Sequence, residues 1–136
     1  MIKTILVDDE AYFRDKVRTK LGAYFVDSIE IVGEAESVET AVAIIEEQKP
    51  DLVFLDIHLT DGTSFDILDK IPNKDFDIIF ITGFDEHAIK AIKVGALDYI
   101  LKPIDDDEFK EAVEKAIENS KEETQIEKLI EVSSEY

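Results

Sequence analysis

The sequence predicts an α/β domain of five βα units on a doubly wound parallel sheet. Three observations carry that prediction. Apolar runs of strand length alternate with longer stretches of helical period. One run, Leu52-Val53-Phe54-Leu55, is wholly apolar, as a strand covered on both faces must be. The 136 residues, 45% of them hydrophobic, fit one compact domain with a single core.

The first strand, Ile2 to Val7, is rich in β-branched residues. It stops at Asp8-Asp9-Glu10, acidic residues suited to cap and charge a helix N-terminus. The first helix then runs through Tyr12, Phe13, Val17 and Leu21. Ile29 to Ala35 is strand two, and Val38 to Gln48 is helix two, with Val38, Ala41, Val42 and Ile45 at helical spacing before Pro50 closes the unit. Strand three, Leu52 to Leu55, delivers Asp56 at its C-terminal end. After a loop containing Asp61-Gly62-Thr63, a short helix three spans Ser64 to Lys70, broken by Pro72-Asn73. Strand four, Ile78 to Ile81, ends at Thr82. Helix four runs from Asp85 to Val94 with Gly95 as its stop, strand five covers Asp98 to Leu101, and Pro103 leads into helix five from Asp105 to Asn119. From Ser120 to Tyr136, Ile126, Leu129, Ile130 and Val132 stand among many charges, which predicts a helix extension, a linker or a partly ordered tail.

Composition excludes several functions. With 33 acidic residues against 15 basic, a formal charge of −18, the surface repels phosphate backbones and anionic lipids, so neither nucleic acid nor membrane is expected as a partner of this segment. No cysteine is present, which rules out disulfides, thiolate metal sites and thiol catalysis. The apolar runs fall short of a membrane span, and Met1 to Val7 enters a strand without the pattern of a signal peptide; a cytoplasmic protein is expected.

In an open doubly wound sheet, ligands bind outside the carboxyl ends of the strands, near the point where strand order reverses. Asp8 and Asp9 follow strand one, Asp56 ends strand three, Thr82 ends strand four and Lys102 follows strand five, so four strands deliver polar side chains to one edge. Three carboxylates gathered there raise one another's pKa unless positive charge compensates them. Mg²⁺, with Mn²⁺ as the alternative, suits such an oxygen-rich site, and Lys102 adds a fixed cation. Asp56 is then the natural nucleophile for a phosphoryl group, with metal and lysine neutralising the transferring oxygens.

Asp8-Asp9, Leu55-Asp56 followed by Gly62, Thr82-Gly83, Tyr99 and Lys102-Pro103 together resemble the response-regulator receiver family of two-component signalling. The resemblance covers residues 1–120, leaving 121–136 as a helix extension or linker toward an output domain. It implies the flavodoxin-like strand order 2-1-3-4-5. It also implies that Asp9 and Asp56 ligate Mg²⁺ through side chains, His58 through its backbone carbonyl, and Asp8 through metal-bound water. Lys102 and Thr82 would contact the phosphoryl group, Thr82 and Tyr99 would form the switch, and His58 and Phe84 would tune dephosphorylation. A cis Lys102-Pro103 bond would aim the lysine. The implied partners are a sensor histidine kinase, an output domain on the same or a separate chain, and a second copy or effector on the face formed by helix four, strand five and helix five. The chemistry would be self-phosphotransfer and autodephosphorylation, not turnover as an enzyme. Residues Phe76 to Ile104 further resemble receivers that precede LytTR-type DNA-binding domains. Thr60 departs from the family, which often carries proline in that loop. The chain reads as a stand-alone receiver or as one excised from a longer protein whose effector lies beyond Tyr136.

Each residue also has a plainer reading. Asp8-Asp9-Glu10 alone is a helix cap, Thr82 a β-former, Tyr99 a packing aromatic and Lys102 a solvated charge. His58 and His87 have no partner at zinc-ligand spacing and are not expected to be ligands through their side chains. Two rival functions stand beside the receiver: an interaction module that works without phosphorylation, and a small aspartyl-phosphate phosphatase. The phosphatase would need a second aspartate where His58 stands.

Overall fold

In the computed structural model, residues 1–72 and 74–134 are described; Asn73, one of the two expected breakers of helix three, lies outside them, as do Glu135 and Tyr136. Five parallel strands, β1 (Ile2–Val7), β2 (Ile29–Ala35), β3 (Leu52–Leu55), β4 (Asp77–Thr82) and β5 (Asp98–Leu101), form one sheet in the order β2-β1-β3-β4-β5. The doubly wound arrangement and its order are therefore as expected.

Period-two alternation along the strands builds two cores. Ile5, Val7, Val53, Leu55, Ile78 and Phe80 pack with residues of α2 (Val38–Gln48), α3 (Ser64–Lys70) and α4 (Ala88–Lys93). Their neighbours Leu6, Leu52, Phe54, Ile79 and Ile81 pack on the opposite face with α1 (Ala11–Tyr24) and α5 (Asp106–Ser134). There Phe54 stacks on Phe109, ring centroids 5.8 Å apart. Because α1 and α2 lie on opposite faces, the sheet splits its connections between β1 and β3, and the crevice opens above Val7 and Leu55.

Four local features depart from the sequence reading. Helix α2 stops on Lys49, held in the left-handed region at φ 47° with its N–H on the Ile45 carbonyl, so the stop precedes Pro50. Helix α4 begins at Ala88 and not Asp85, because residues 85–87 form a turn closed by Ala88 N–H on the Asp85 carbonyl. Its end is as expected: Gly95, at φ 81°, donates to Ile92 and Ala96 to Ala91, the paired bonds of a Schellman stop. The loop after Asp56 contains a two-residue antiparallel ribbon, His58–Leu59 against Gly62–Thr63. A Cβ on Gly62, whose φ is 153°, would lie 2.5 Å from the Asp66 carboxylate. Finally, α5 runs 29 residues to Ser134, since neither glycine nor proline interrupts it. The described part of the stretch after Ser120 is thus helical. No described helix is long and apolar enough to cross a membrane.

Candidate functional site

Main-chain bonds at the sheet edge place the site. Asp8 N–H bonds the Ala35 carbonyl at 3.1 Å and Asp56 N–H bonds the Val7 carbonyl at 2.9 Å, so both aspartates extend the ladder one step past their strands. Lys102 N–H bonds the Thr82 carbonyl at 2.8 Å and does the same for β5. Three strands thereby aim side chains at one point. The Lys102-Pro103 peptide is cis.

Carboxylate oxygens of Asp8, Asp9, Glu10 and Asp56 all lie within 4.8 Å of one another. Lys102 Nζ sits 3.0 Å from Asp8 Oδ2 and 3.1 Å from Asp56 Oδ2, with Glu10 at 3.9 Å. The second Asp56 oxygen accepts from Ile57 N–H at 2.7 Å, and the second Asp8 oxygen from Glu10 N–H at 2.9 Å. Glu10 is the N-cap residue of α1 yet makes no side-chain capping bond, so the acidic triplet reaches the helix end only through Asp8.

One shared lysine does not neutralise two buried carboxylates. Burial pushes the Asp8 carboxyl up to about 6 against the pull of Glu10 N–H and Lys102, and the Asp56 charge adds to the rise. For Lys102, burial works in the other direction, but Asp8 and Asp56 outweigh it and hold the ammonium above its ordinary pKa. The cluster is thus short of positive charge while its lysine stays firmly protonated. An all-oxygen, carboxylate-rich set with a positive deficit is the chemistry a hard divalent cation fits.

Thr82 is fully buried and its hydroxyl finds no hydrogen-bond partner among the described residues. A buried hydroxyl left unpaired is costly, and it faces the same strand-end edge as Asp56 and Lys102. Tyr99 is half-buried beside Phe80, and its hydroxyl donates to the Phe84 carbonyl in the segment following Thr82. His58 and Phe84 meet edge to face with centroids 4.3 Å apart, so the two expected tuning residues touch each other.

The structure adds a contact between the two histidines. Although 29 positions apart, His58 and His87 bring their rings within 5.2 Å, and Glu86 joins them. Spacing along the chain carried no sign of this, because the ribbon and the α4 turn create the contact. Other neighbours were also missed. Phe13 lies under Lys102, its ring centroid 3.7 Å from Nζ, and Arg14 holds the Asp8 carbonyl at 2.6 Å while pairing with Glu34. Ser64, fully buried, donates its hydroxyl to the Asp56 carbonyl. For Phe13 the only available signal was its place on the first turn of α1; Ser64 looked like any helix-start serine.

Residues 4–114 match the family model described as response regulator receiver domain. The chain is 42% identical over 118 residues to the sensory transduction protein LytT of Bacillus anthracis, covering 85% of this chain and 47% of that protein. It is 38% identical over 107 residues to the transcriptional regulatory protein BtsR of Escherichia coli, covering 78% and 44%. The chain thus spans about half the length of the curated relatives it matches. Among solved structures, the receiver domain of AraT from Geobacillus stearothermophilus superposes with a TM-score of 0.79 at 31% identity, covering 90% of this chain and 98% of that one. The response regulatory domain of mrkE from Klebsiella pneumoniae gives 0.81 at 26%, covering 89% and 99%.

Proposed function

The chain belongs to the response regulator receiver domain family of two-component signalling, and from that premise we propose that it is a switch set by phosphorylation of Asp56. The observation that carries this reading is the Asp56 carboxylate held beside Lys102 inside a cluster of carboxylates with too little positive charge. An Asp56 oxygen attacks the phosphorus of a phosphohistidine, the P–N bond breaks, and the electron pair leaves with the imidazole nitrogen. Lys102 then pairs with the phosphoryl oxygens, whose added charge it is already placed to meet.

Asp9 and Asp56 side chains, the His58 carbonyl and, through water, Asp8 would hold Mg²⁺. When bound, that ion orients the phosphoryl group and neutralises its charge. Thr82 supplies the readout: its unpaired hydroxyl gains an acceptor when a phosphoryl oxygen arrives, which favours the state in which it reaches inward. Displacement of that segment moves the Phe84 carbonyl to which Tyr99 is tied, and so transmits the change to the α4-β5-α5 face. Ile89 and Ile92, 72% and 74% exposed, give that face the apolar surface a second copy or an effector needs.

The donor is read as a sensor histidine kinase, and the responder as an output domain on the same or another chain, in the cytoplasm, without catalytic turnover on outside substrates. The resemblance to receivers of LytTR-type regulators agrees with the LytT relatives. A small phosphodonor with Mg²⁺ is expected to add one phosphoryl group to the protein, seen by mass spectrometry, and none to Asp56→Asn; an undiminished adduct on the variant would rule out Asp56.

A further inference from the structure

We propose that His58, Glu86 and His87 form a second metal site, distinct from the carboxylate cluster and selective for a divalent first-row transition ion such as Zn²⁺. One ligand atom from each of the three lies within 4.8 Å of the others. His87 Nε2 and Glu86 Oε1 are already 3.4 Å apart. Tetrahedral zinc, with bonds of about 2.0–2.1 Å to nitrogen and oxygen, sets its ligands about 3.3–3.4 Å from one another. That pair therefore already has the separation two zinc ligands take, and the His58 ring must swing closer to complete the geometry. Its side chain is exposed, as is that of Glu86, so both are free to make the move.

A second observation points the same way. His87 Nε2 is itself shielded from solvent, and Glu86 Oε1 at 3.4 Å makes no hydrogen bond with it, so among the described residues its hydrogen bonding is unmet. A buried ring nitrogen whose hydrogen bonding is unmet carries a desolvation cost that a metal ion removes. The rings of Phe84, 4.3 Å from His58, and Phe65, 6.1 Å from His87, wall the site with apolar surface. Two imidazoles and one carboxylate, with a fourth position left for water, suit zinc, nickel or copper and not Mg²⁺, which keeps to oxygen.

The site joins two moving parts. His58 stands two residues beyond Asp56, while Glu86 and His87 lie in the turn between Thr82 and α4. An ion bridging them ties the phosphoacceptor loop to the segment whose Phe84 carbonyl holds Tyr99. By linkage, an ion that favours one position of that segment changes the response to phosphorylation, and phosphorylation changes ion affinity by the same factor. This coupling rests on the phosphoryl-switch reading; ion binding itself does not.

The test is a Zn²⁺ titration of the full chain against a competing chromophoric chelator, with excess Mg²⁺ filling the carboxylate cluster, and a parallel Co²⁺ titration read by visible absorption. One equivalent with tetrahedral Co²⁺ bands is expected for the parent and for Asp9→Asn/Asp56→Asn. His58→Gln and His87→Gln, with folding verified by circular dichroism, are expected to weaken binding by about a hundredfold or more, beyond the loss typical of a supporting partner. The proposal is overturned by no binding to the parent, by unchanged affinity in a His58→Gln/His87→Gln double variant, or by loss of the ion in Asp9→Asn/Asp56→Asn. Failure of the phosphoryl reading shows separately, as a phosphoryl adduct that survives in Asp56→Asn while zinc still follows the histidines.

Discussion

Asp8 pays in stability for its place in the cluster. Its carboxyl titrates near 6 in the folded protein against 3.8 when free, so folding favours its protonated form. Below about pH 4 both states hold the proton and burial exacts no charge penalty; between 4 and 6 the folded state keeps a proton the unfolded chain has lost, so stability falls as pH rises. Above pH 6 the cost is constant, about 3 kcal/mol at 1.36 kcal/mol per pH unit. Asp8→Asn removes it but leaves Lys102 with one fewer close carboxylate, so a net gain of about 1–2 kcal/mol is expected at pH 7.5 and little at pH 4. Urea midpoints with a chelator present measure this; equal midpoints at both pH values would contradict it. Thr82 makes a similar sacrifice. Replacing its unpaired buried hydroxyl with the methyl of Thr82→Val is expected to stabilise by about 1 kcal/mol. The same variant should accept a phosphoryl group yet lose the change in tyrosine fluorescence expected of the parent with beryllofluoride. These two costs were hidden from the sequence: Asp8, Asp56, Thr82 and Lys102 were legible as strand-end residues, whereas burial and unmet bonding appear only once Val7, Leu55 and Phe13 close around them.

Elements that carry their own periodic pattern were read to the residue, and those fixed by distant partners were not. β1, β2, β3, α2, α3 and β5 have the expected limits because β-branched runs, helical spacing and flanking breakers define them locally. The His58–Leu59 and Gly62–Thr63 ribbon has no such pattern; it is held from outside, by Asp61 accepting from Val38 and Glu39 N–H at 2.7 and 3.1 Å on the first turn of α2. The same two bonds, Val38 first, lower the pKa of Asp61. Helix α5 was undercounted because its burial ends before its helix-forming composition does. Phe109, Ala112, Val113 and Ala116 are buried, whereas Ile126, Leu129 and Ile130 are 56–67% exposed. Deleting residues 126–136 is therefore expected to change the unfolding free energy from urea titration by less than about 1 kcal/mol, while Phe109→Ala costs about 3–5 kcal/mol. A deletion as damaging as the core substitution would mean that the extension is part of the folded core.

At the scale of the whole molecule, a charge of −18 acts against folding in two separable ways. Diffuse repulsion between surface carboxylates is screened by any salt, with a Debye length of about 10 Å at 0.1 M. The concentrated repulsion among Asp8, Asp9, Glu10 and Asp56 is little screened, since Asp8 and Asp56 are buried, and is relieved only by an ion that enters. Raising KCl should thus lift the thermal midpoint of the parent and of Asp9→Asn/Asp56→Asn alike. Replacing part of the KCl with MgCl₂ at constant ionic strength should lift only the midpoint of the parent further, the ion adding about 2.7 kcal/mol to its stability once free Mg²⁺ reaches a hundred times its dissociation constant. The double variant should follow ionic strength alone, because it has given up the local charge that selects the divalent ion. If both proteins gained equally from Mg²⁺, the ion would be acting as one more surface counterion, and the convergence of β1, β3 and β5 on one lysine would have to be explained by structure without metal.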